Sequence, residues 1–291
     1  MLDISDLLVF KTVVEQNGVS RAAEVLHRVP SNVTARLKKL EAELNTDLFL
    51  RESNRLTVTS AGLRLLEYTD KILNLQKQAI AELTDAEPAG LLRLGSMESS
   101  AAARLPGILA RFHQHYAAVQ LELTANASMP LIERVLAGEL DLVMASDPPD
   151  DRRLERVKCF EEELVLILPR EWESNSALPE TLTMVGYSRG CSYRHRLEKW
   201  LARHNHVCER VTEIPSHFTM IGCVIAGMGL AMVPRSVLAL HQTEGLTLKT
   251  VDEDIAFAPT YLVYRKDNPS SAISAFIDCA LAAPDAVTTG A

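Results

Sequence analysis

The spacing of apolar residues changes once along this 291-residue chain, at "DAEPAGLLRLGS". Before that stretch, apolar positions recur every three or four residues, as on helices. After it, strand-length and helix-length runs alternate to the end. A change of period at a Pro- and Gly-containing junction predicts two units, a mostly helical head and a larger α/β body. In the body, "LLRLGS", "VQLELTA" and "LDLVMAS" read as strands, with "SSAAARLPGILARFHQHY" and "MPLIERVLAGE" as helices between them. This βαβαβ order predicts a mostly parallel sheet. "ELVLILP" begins a second unit that runs through "LTMVGY", a helix from Tyr193 to His204, "CERVTEI", a helix around "HFTMIGCVIAG", "LAMVP" and "TYLVYRK". "SSAISAFIDCALAA" is a final helix.

Composition narrows the class. With 47% hydrophobic and 23% charged residues, the chain reads as an ordinary globular protein. No stretch approaches the roughly 18 apolar residues of a membrane span, and "MLDISDLLVF" is acidic where a secretory signal is basic, so a cytoplasmic protein is expected. Five cysteines without CxxC spacing argue against a disulfide framework or zinc ribbon and predict core thiols.

The head carries a local charge that the whole chain does not. The net charge is −8, yet residues 21–39 hold five cations against Glu24 alone. Leu7, Phe10, Val13 and Val14 mark a first helix, "NG" at Asn17 and Gly18 breaks it, and Ser20 is placed to cap a second. Pro30 opens a third helix whose stripe is Val33, Leu37, Leu40 and Leu44. Its other face carries Ser31, Asn32, Thr34, Ala35, Arg36, Lys38 and Lys39, groups that could touch base edges and phosphates in a major groove. "DLFLRESNRLTVTSAG" alternates as a small hairpin does, with Arg51 and Arg55 flanking its tip as a basic wing. A long helix then runs to about Leu83, with Leu65, Ile72 and Ala79 beside Leu66, Leu73 and Ile80. With no domain of its own to cover it, this strip predicts pairing with a second copy.

"FKTVVEQNGVSRAAEVLHRVPSNVTARLKKLEAELNTDLFLRESNRLTVTSAG" resembles the N-terminal winged helix-turn-helix of LysR-type transcriptional regulators, and the rest of the chain resembles that family's effector-binding domain. The resemblance implies an α/β protein overall. A winged helix-turn-helix occupies residues 1–58, a dimerisation linker helix 59–87, and a two-lobed, periplasmic-binding-protein-like domain 88–291. Lobe I covers about 88–162 and 267–291, and lobe II about 163–266. It further implies a dimer or tetramer that binds double-stranded promoter DNA and answers to a small molecule, with RNA polymerase a further candidate partner and no cofactor. Many members carry Ser-Gln and Ser-Arg pairs where this chain has Val29-Pro30 and Thr34-Ala35, so their base contacts do not transfer. The DNA-contact candidates are Arg28, Ser31, Asn32, Thr34, Arg36 and Lys38, with Arg51 and Arg55 on the wing.

Ligands of such α/β folds sit where strands end and helices begin. "GSMESSAAA" offers Ser96, Ser99 and Ser100 at a helix start, "TANASMP" offers Ser128, and "RGCSYRHRLEKW" offers Ser192, Tyr193 and Arg194 with Arg189 nearby. Ser192 is a candidate cap. His217 and Phe218 open a further helix beside the same cleft, although Phe218 suits a core equally well. Arginine forks bind carboxylates, so an anionic, carboxylate-bearing effector is expected. "GMGLAMVP" contains GxG but runs from helix to strand, opposite to a dinucleotide loop, so its glycines are read as helix terminators. "HNHVC" sets His204, His206 and Cys208 on alternate positions but lacks a distant fourth ligand, and surface histidines are expected rather than a metal. No nucleophile elbow, HExxH or P-loop occurs, so catalysis is not expected. The competing reading is a cytosolic solute-binding protein or sensor without promoter-specific DNA binding.

Overall fold

The structure, a computed structural model, describes residues 2–52, 55–83, 87–172, 178–179, 181–268 and 270–282. Its contacts divide it into two compact units, Met1–Ala86 and Glu87–Ala291.

In the first unit, helices α1 (Ile4–Glu15), α2 (Val19–Val25) and α3 (Pro30–Leu44) precede a hairpin of β1 (Phe49–Glu52) and β2 (Arg55–Val58), then α4 (Ser60–Leu83). Asp3 starts α1 by accepting the Ser5 amide at 2.8 Å. The expected Ser20 cap is not made. The chain turns at Asn17, whose φ is +50°, and Gly18 takes the cap position, so Ser20 falls inside α2. Pro30 stands in the first turn of α3, where its missing N–H leaves no helical bond unmade. Phe10, Val33, Leu37, Leu40 and Leu48 are buried together. Glu41 ties α3 to the hairpin by accepting the Leu48 and Phe49 amides at 2.9 and 3.2 Å. Thr59 caps α4 through the Gly62 amide at 3.0 Å.

The apolar strip of α4 is not open along its whole length, as the sequence had suggested. Leu65 and Leu66 are half-buried against this unit's own core, and Lys11 on α1 reaches Asp70 at 2.5 Å. The apolar strip left open lies farther along, at Ile72, Leu75 and Ile80.

The second unit contains β3 (Gly90–Ser96), α5 (Glu98–Ala103), α6 (Leu105–His115), β4 (Val119–Ala125), α7 (Ser128–Leu136) and β5 (Leu142–Ser146). Next come β6 (Leu154–Pro169), β7 (Leu182–Gly186), α8 (Ser192–Arg203), β8 (Cys208–Glu213), α9 (His217–Ile225) and β9 (Ala231–Pro234). It closes with α10 (Arg235–Leu238), β10 (Leu246–Lys249), α11 (Glu253–Ala256), β11 (Phe257–Arg265) and α12 (Ser271–Leu281).

The sheet order is β10-β6-β11-β5-β3-β4, with β9 also on β6, while β7 and β8 form a separate parallel pair. The mostly parallel sheet expected from the pattern holds for β4, β3 and β5 only; β5, β11 and β6 pair antiparallel, as do β6 with β9 and β10. The cause is the 16-residue β6. Its first half pairs with β11 and its last residues with β9 and β10, so one strand serves two lobes. Burial alternates along the first half, which hid it from pattern reading, and becomes continuous in "LVLILP".

The helix predicted across "SSAAARLPGILARFHQHY" is two, broken at Arg104. Pro106 explains the break, because in a continuous helix its ring would clash with the Ala102 carbonyl one turn back, whereas it suits a first turn. The short α10, β10 and α11 were not foreseen; four residues show too little periodicity to read. The GxG stretch does end a helix and lead to a strand. Gly227 follows α9 with φ +84°, and a Cβ on Gly229 would lie 2.1 Å from the Thr183 carbonyl oxygen.

Candidate functional site

Two surfaces merit attention, one in each unit. On α3 the stripe Val33, Leu37 and Leu40 is buried, so Ser31, Asn32 and Lys38 are exposed and Thr34 is half-buried. Thr34 donates its hydroxyl to the Pro30 carbonyl at 2.9 Å. Arg28, just before the helix, lies 3.4 Å from both the Asn32 side chain and the Ser5 hydroxyl.

Arg36 has a partner that the sequence did not reveal. Its guanidinium donates to Asp6 at 2.5 Å and to the Ser5 hydroxyl at 3.1 Å, and Lys39 reaches the other Asp6 oxygen at 2.8 Å. Asp6 is 1% exposed. Burial alone would push its carboxyl up, but Lys39 and Arg36 outweigh that and hold it below the ordinary range. Asp6 therefore anchors α3 to α1 through two of the helix's cations. Arg51 and Arg55 belong to paired strands, Arg51 opposite Leu56 and Arg55 opposite Glu52, while their side chains lie outside the described residues.

The second surface lies between the lobes of the second unit. A cleft of about 410 Å³ is lined by Ser128 and Met129 of α7, Ser146 and Asp147 at the end of β5, and Arg189, Cys191, Ser192 and Arg194 around the start of α8. Behind it, sharing Ser128 and Cys191, is a recess of about 10 Å³ lined by Met97, Glu98, Ser99, Asn126, Tyr187, Tyr193 and His217, among others.

Most of the expected ligand residues are here, in altered roles. Ser192 does not cap α8; Cys191 takes that position, and the Ser192 hydroxyl donates to Asp147 instead. Asp147 also receives a two-pronged bond from Arg196 at 2.7 and 2.9 Å, which links the lobes. Ser128 accepts the Ser146 amide at 3.2 Å, and Ser99 approaches the Tyr193 hydroxyl at 3.5 Å. Ser96 is fully buried and bonded to the Met97 carbonyl, outside both cavities. The Ser100 hydroxyl is buried without a partner among the described residues. Phe218 is neither core nor cleft: it is 72% exposed and its ring packs on His241.

Arg194 is the largest departure. It is 8% exposed, and its guanidinium donates to Glu198 at 2.9 Å, to Glu213 at 2.6 Å and to the Tyr187 carbonyl at 2.9 Å. These acceptors leave little of the fork for a ligand. Arg189 lines the cleft, is exposed, and makes no ion pair among the described residues.

Two groups at the recess escaped sequence reading. Glu98 opens α5 and bonds His217 Nδ1 and, at 2.5 Å, the Tyr187 hydroxyl. Burial pushes Glu98 up, yet the bonds from His217 and Tyr187 prevail and keep it below its usual value. Tyr187 is driven far up by burial and by Glu98, so it is a neutral donor. Glu98 stands inside "GSMESSAAA", where the serines drew attention away from it. Nothing local marks Tyr187, which meets Glu98 only because the lobes fold together.

His204 lies 3.1 Å from Asp252, His206 stacks on Trp200, and Cys208 begins β8. Among the described residues, no helix is long and apolar enough to cross a membrane.

A winged helix-turn-helix joined to a two-lobed α/β unit with a polar interlobe cleft defines the class of ligand-responsive DNA-binding regulators. Residues 4–63 match the model of the bacterial regulatory helix-turn-helix protein, lysR family, and residues 85–285 match the LysR substrate binding domain. The chain is 37% identical over 285 residues to the uncharacterized HTH-type transcriptional regulator YusT of Bacillus subtilis, covering 95% of each chain. It is 35% identical over 281 residues to the transcriptional regulator GltR of the same organism, again with 95% of each covered. Among solved structures, a Corynebacterium glutamicum OxyR C206 mutant aligns with a TM-score of 0.69 at 21% identity, covering 96% of this chain and 91% of that one. Full-length CbnR in complex with its target DNA aligns with a TM-score of 0.63 at 20% identity, covering 96% and 99%. The chain belongs to the LysR family of transcriptional regulators.

Proposed function

We propose that this regulator acts in the cytoplasm, binds promoter DNA as a dimer or a higher assembly, and takes a carboxylate-bearing effector in the cleft of its second unit. The observation that carries the DNA part is the α3 surface: an apolar stripe buried against α1, with Ser31, Asn32 and Lys38 exposed opposite it. Arg28, Ser31, Asn32, Thr34 and Lys38 are the contacts proposed from the helix, Arg51 and Arg55 those from the wing. Arg36 joins them through whichever donors Asp6 leaves open. The linker helix over 59–87 supplies the pairing face through Ile72, Leu75 and Ile80, which are exposed in the single chain.

For the effector, Arg189 replaces Arg194 as the guanidinium proposed to meet a carboxylate, because Arg194 is already bonded to two glutamates. The test is selection of bound duplexes from a random pool by the purified chain. Enrichment of two half-sites about one helical turn apart is the expected result. No enrichment at any salt concentration would favour the solute-binding reading instead.

A further inference from the structure

The anion expectation for the cleft accounts for Arg189 but not for the recess behind it. That recess holds about 10 Å³, the room of roughly one water. A carboxylate has three heavy atoms and does not fit; an ammonium group is about the size of water. Charge points the same way. Glu98 is the sole carboxylate among the described residues lining the recess, and no Lys or Arg lines it.

The bonding leaves one carboxylate oxygen of Glu98 weakly engaged. Glu98 Oε2 receives the Tyr187 hydroxyl and His217 Nδ1, whereas among the described residues Oε1 has only the His217 amide at 3.4 Å. His217 Nε2 is buried, in a residue 3% exposed, without a partner among the described residues. The side chain of Glu98 is 29% exposed, so a ligand can reach it from the larger cleft, which shares Ser128 and Cys191 with the recess.

We infer that the effector carries a protonated amine seated in this recess on Glu98, with the remainder of the molecule in the 410 Å³ cleft. The inference rests on the reading of that cleft as the effector site. Joined to a carboxylate at Arg189, it describes an amino-acid-like zwitterion. Glu98 and the His217 ring are the recognition groups, and Tyr187 is a positioning residue that holds the carboxylate.

The test is thermal unfolding of the full chain against the proteinogenic L-amino acids, the amines left by their decarboxylation and the 2-keto acids left by their deamination, each at millimolar concentration. The expected result is an upward shift from at least one amino acid, a smaller shift from its amine, and none from its keto acid. Glu98→Gln should weaken the responding amino acid at least tenfold, while Tyr187→Phe, which keeps the carboxylate, should weaken it less. Equal responses to amino acid and keto acid would overturn the ammonium seat and leave the cleft as an effector site. Failure of every amine-bearing probe would also overturn it. Since these comparisons need only the wild-type chain, a misfolded variant does not decide the outcome, and DNA selection reports independently on the regulator reading.

Discussion

The two units treat their proposed functional side chains in opposite ways. On α3, Ser31, Asn32 and Lys38 stand exposed, whereas in the second unit Ser99, Ser128, Ser192, Arg194 and His217 are none of them more than 8% exposed. A DNA-reading surface must meet a rigid partner from outside, so a helix with one buried stripe is sufficient. A small-molecule site must surround its ligand, and the proposed one is made of residues from β5, α5, α7, α8 and α9 and the turns before those helices, brought to one cleft. The charge networks differ likewise. Asp6 gathers Arg36 and Lys39 within one small core, while Asp147, Glu98 and Glu162 each bond residues across a longer stretch of chain, to Arg196, His217 and Arg104.

The largest test of this contrast is to damage the second unit alone. Gly229→Ala would press a Cβ against the Thr183 carbonyl and break the Leu230 amide bond to it, now 3.0 Å, at a cost of about 4 kcal/mol or more. Calorimetry should show a lowered transition for Glu87–Ala291, while the fragment 1–86 carries no counterpart of the change.

A smaller effect is expected at the anchor of the DNA-reading helix. Asp6→Asn should destabilise the first unit by about 1.5–3 kcal/mol near neutral pH, the range for hydrogen bonds to charged groups. Because the folded carboxyl lies below its ordinary value, this stability is complete above the ordinary carboxylate range and is lost as pH falls through the folded value. The difference in unfolding free energy between wild type and variant should therefore close in acid. A gap that stays constant down to low pH would mean that Asp6 acts by packing and not by charge.

The smallest effect sharpens the surface side of the comparison. Lys38→Ala should leave stability unchanged and reduce the slope of log affinity against log salt by about 1, equally on selected and random DNA. Loss confined to the selected sequence would make Lys38 a base reader.

How far each site could be read follows from this same contrast. The α3 face was legible because a helix places Val33, Leu37 and Leu40 on one side by period alone, and Pro30 marks its start. The cleft was legible only as a set of loop ends. Ser99, Ser128, Ser192 and His217 were found because strand-to-helix junctions advertise themselves. Their bonds could not be, since Ser192 turned out to meet Asp147, and Arg194 to meet Glu213. The antiparallel half of the sheet escaped for a related reason: β6 alternates like a surface strand over one half and reads as core over the other.

The sequence by itself determined the order of the longer elements, the division near Pro88, the polar face of α3 and the family, because these depend on period, punctuation and short-range spacing. Tertiary structure alone decided which charges remain free. Arg36 and Arg194 look equally available along the chain, yet each faces a carboxylate supplied from another element, Asp6 30 residues away and Glu213 19 residues away. Coulomb attraction and hydrogen bonding act through space, at distances that only folding creates. By the same rule Arg189 and Glu98 are the groups the fold leaves to the proposed ligand.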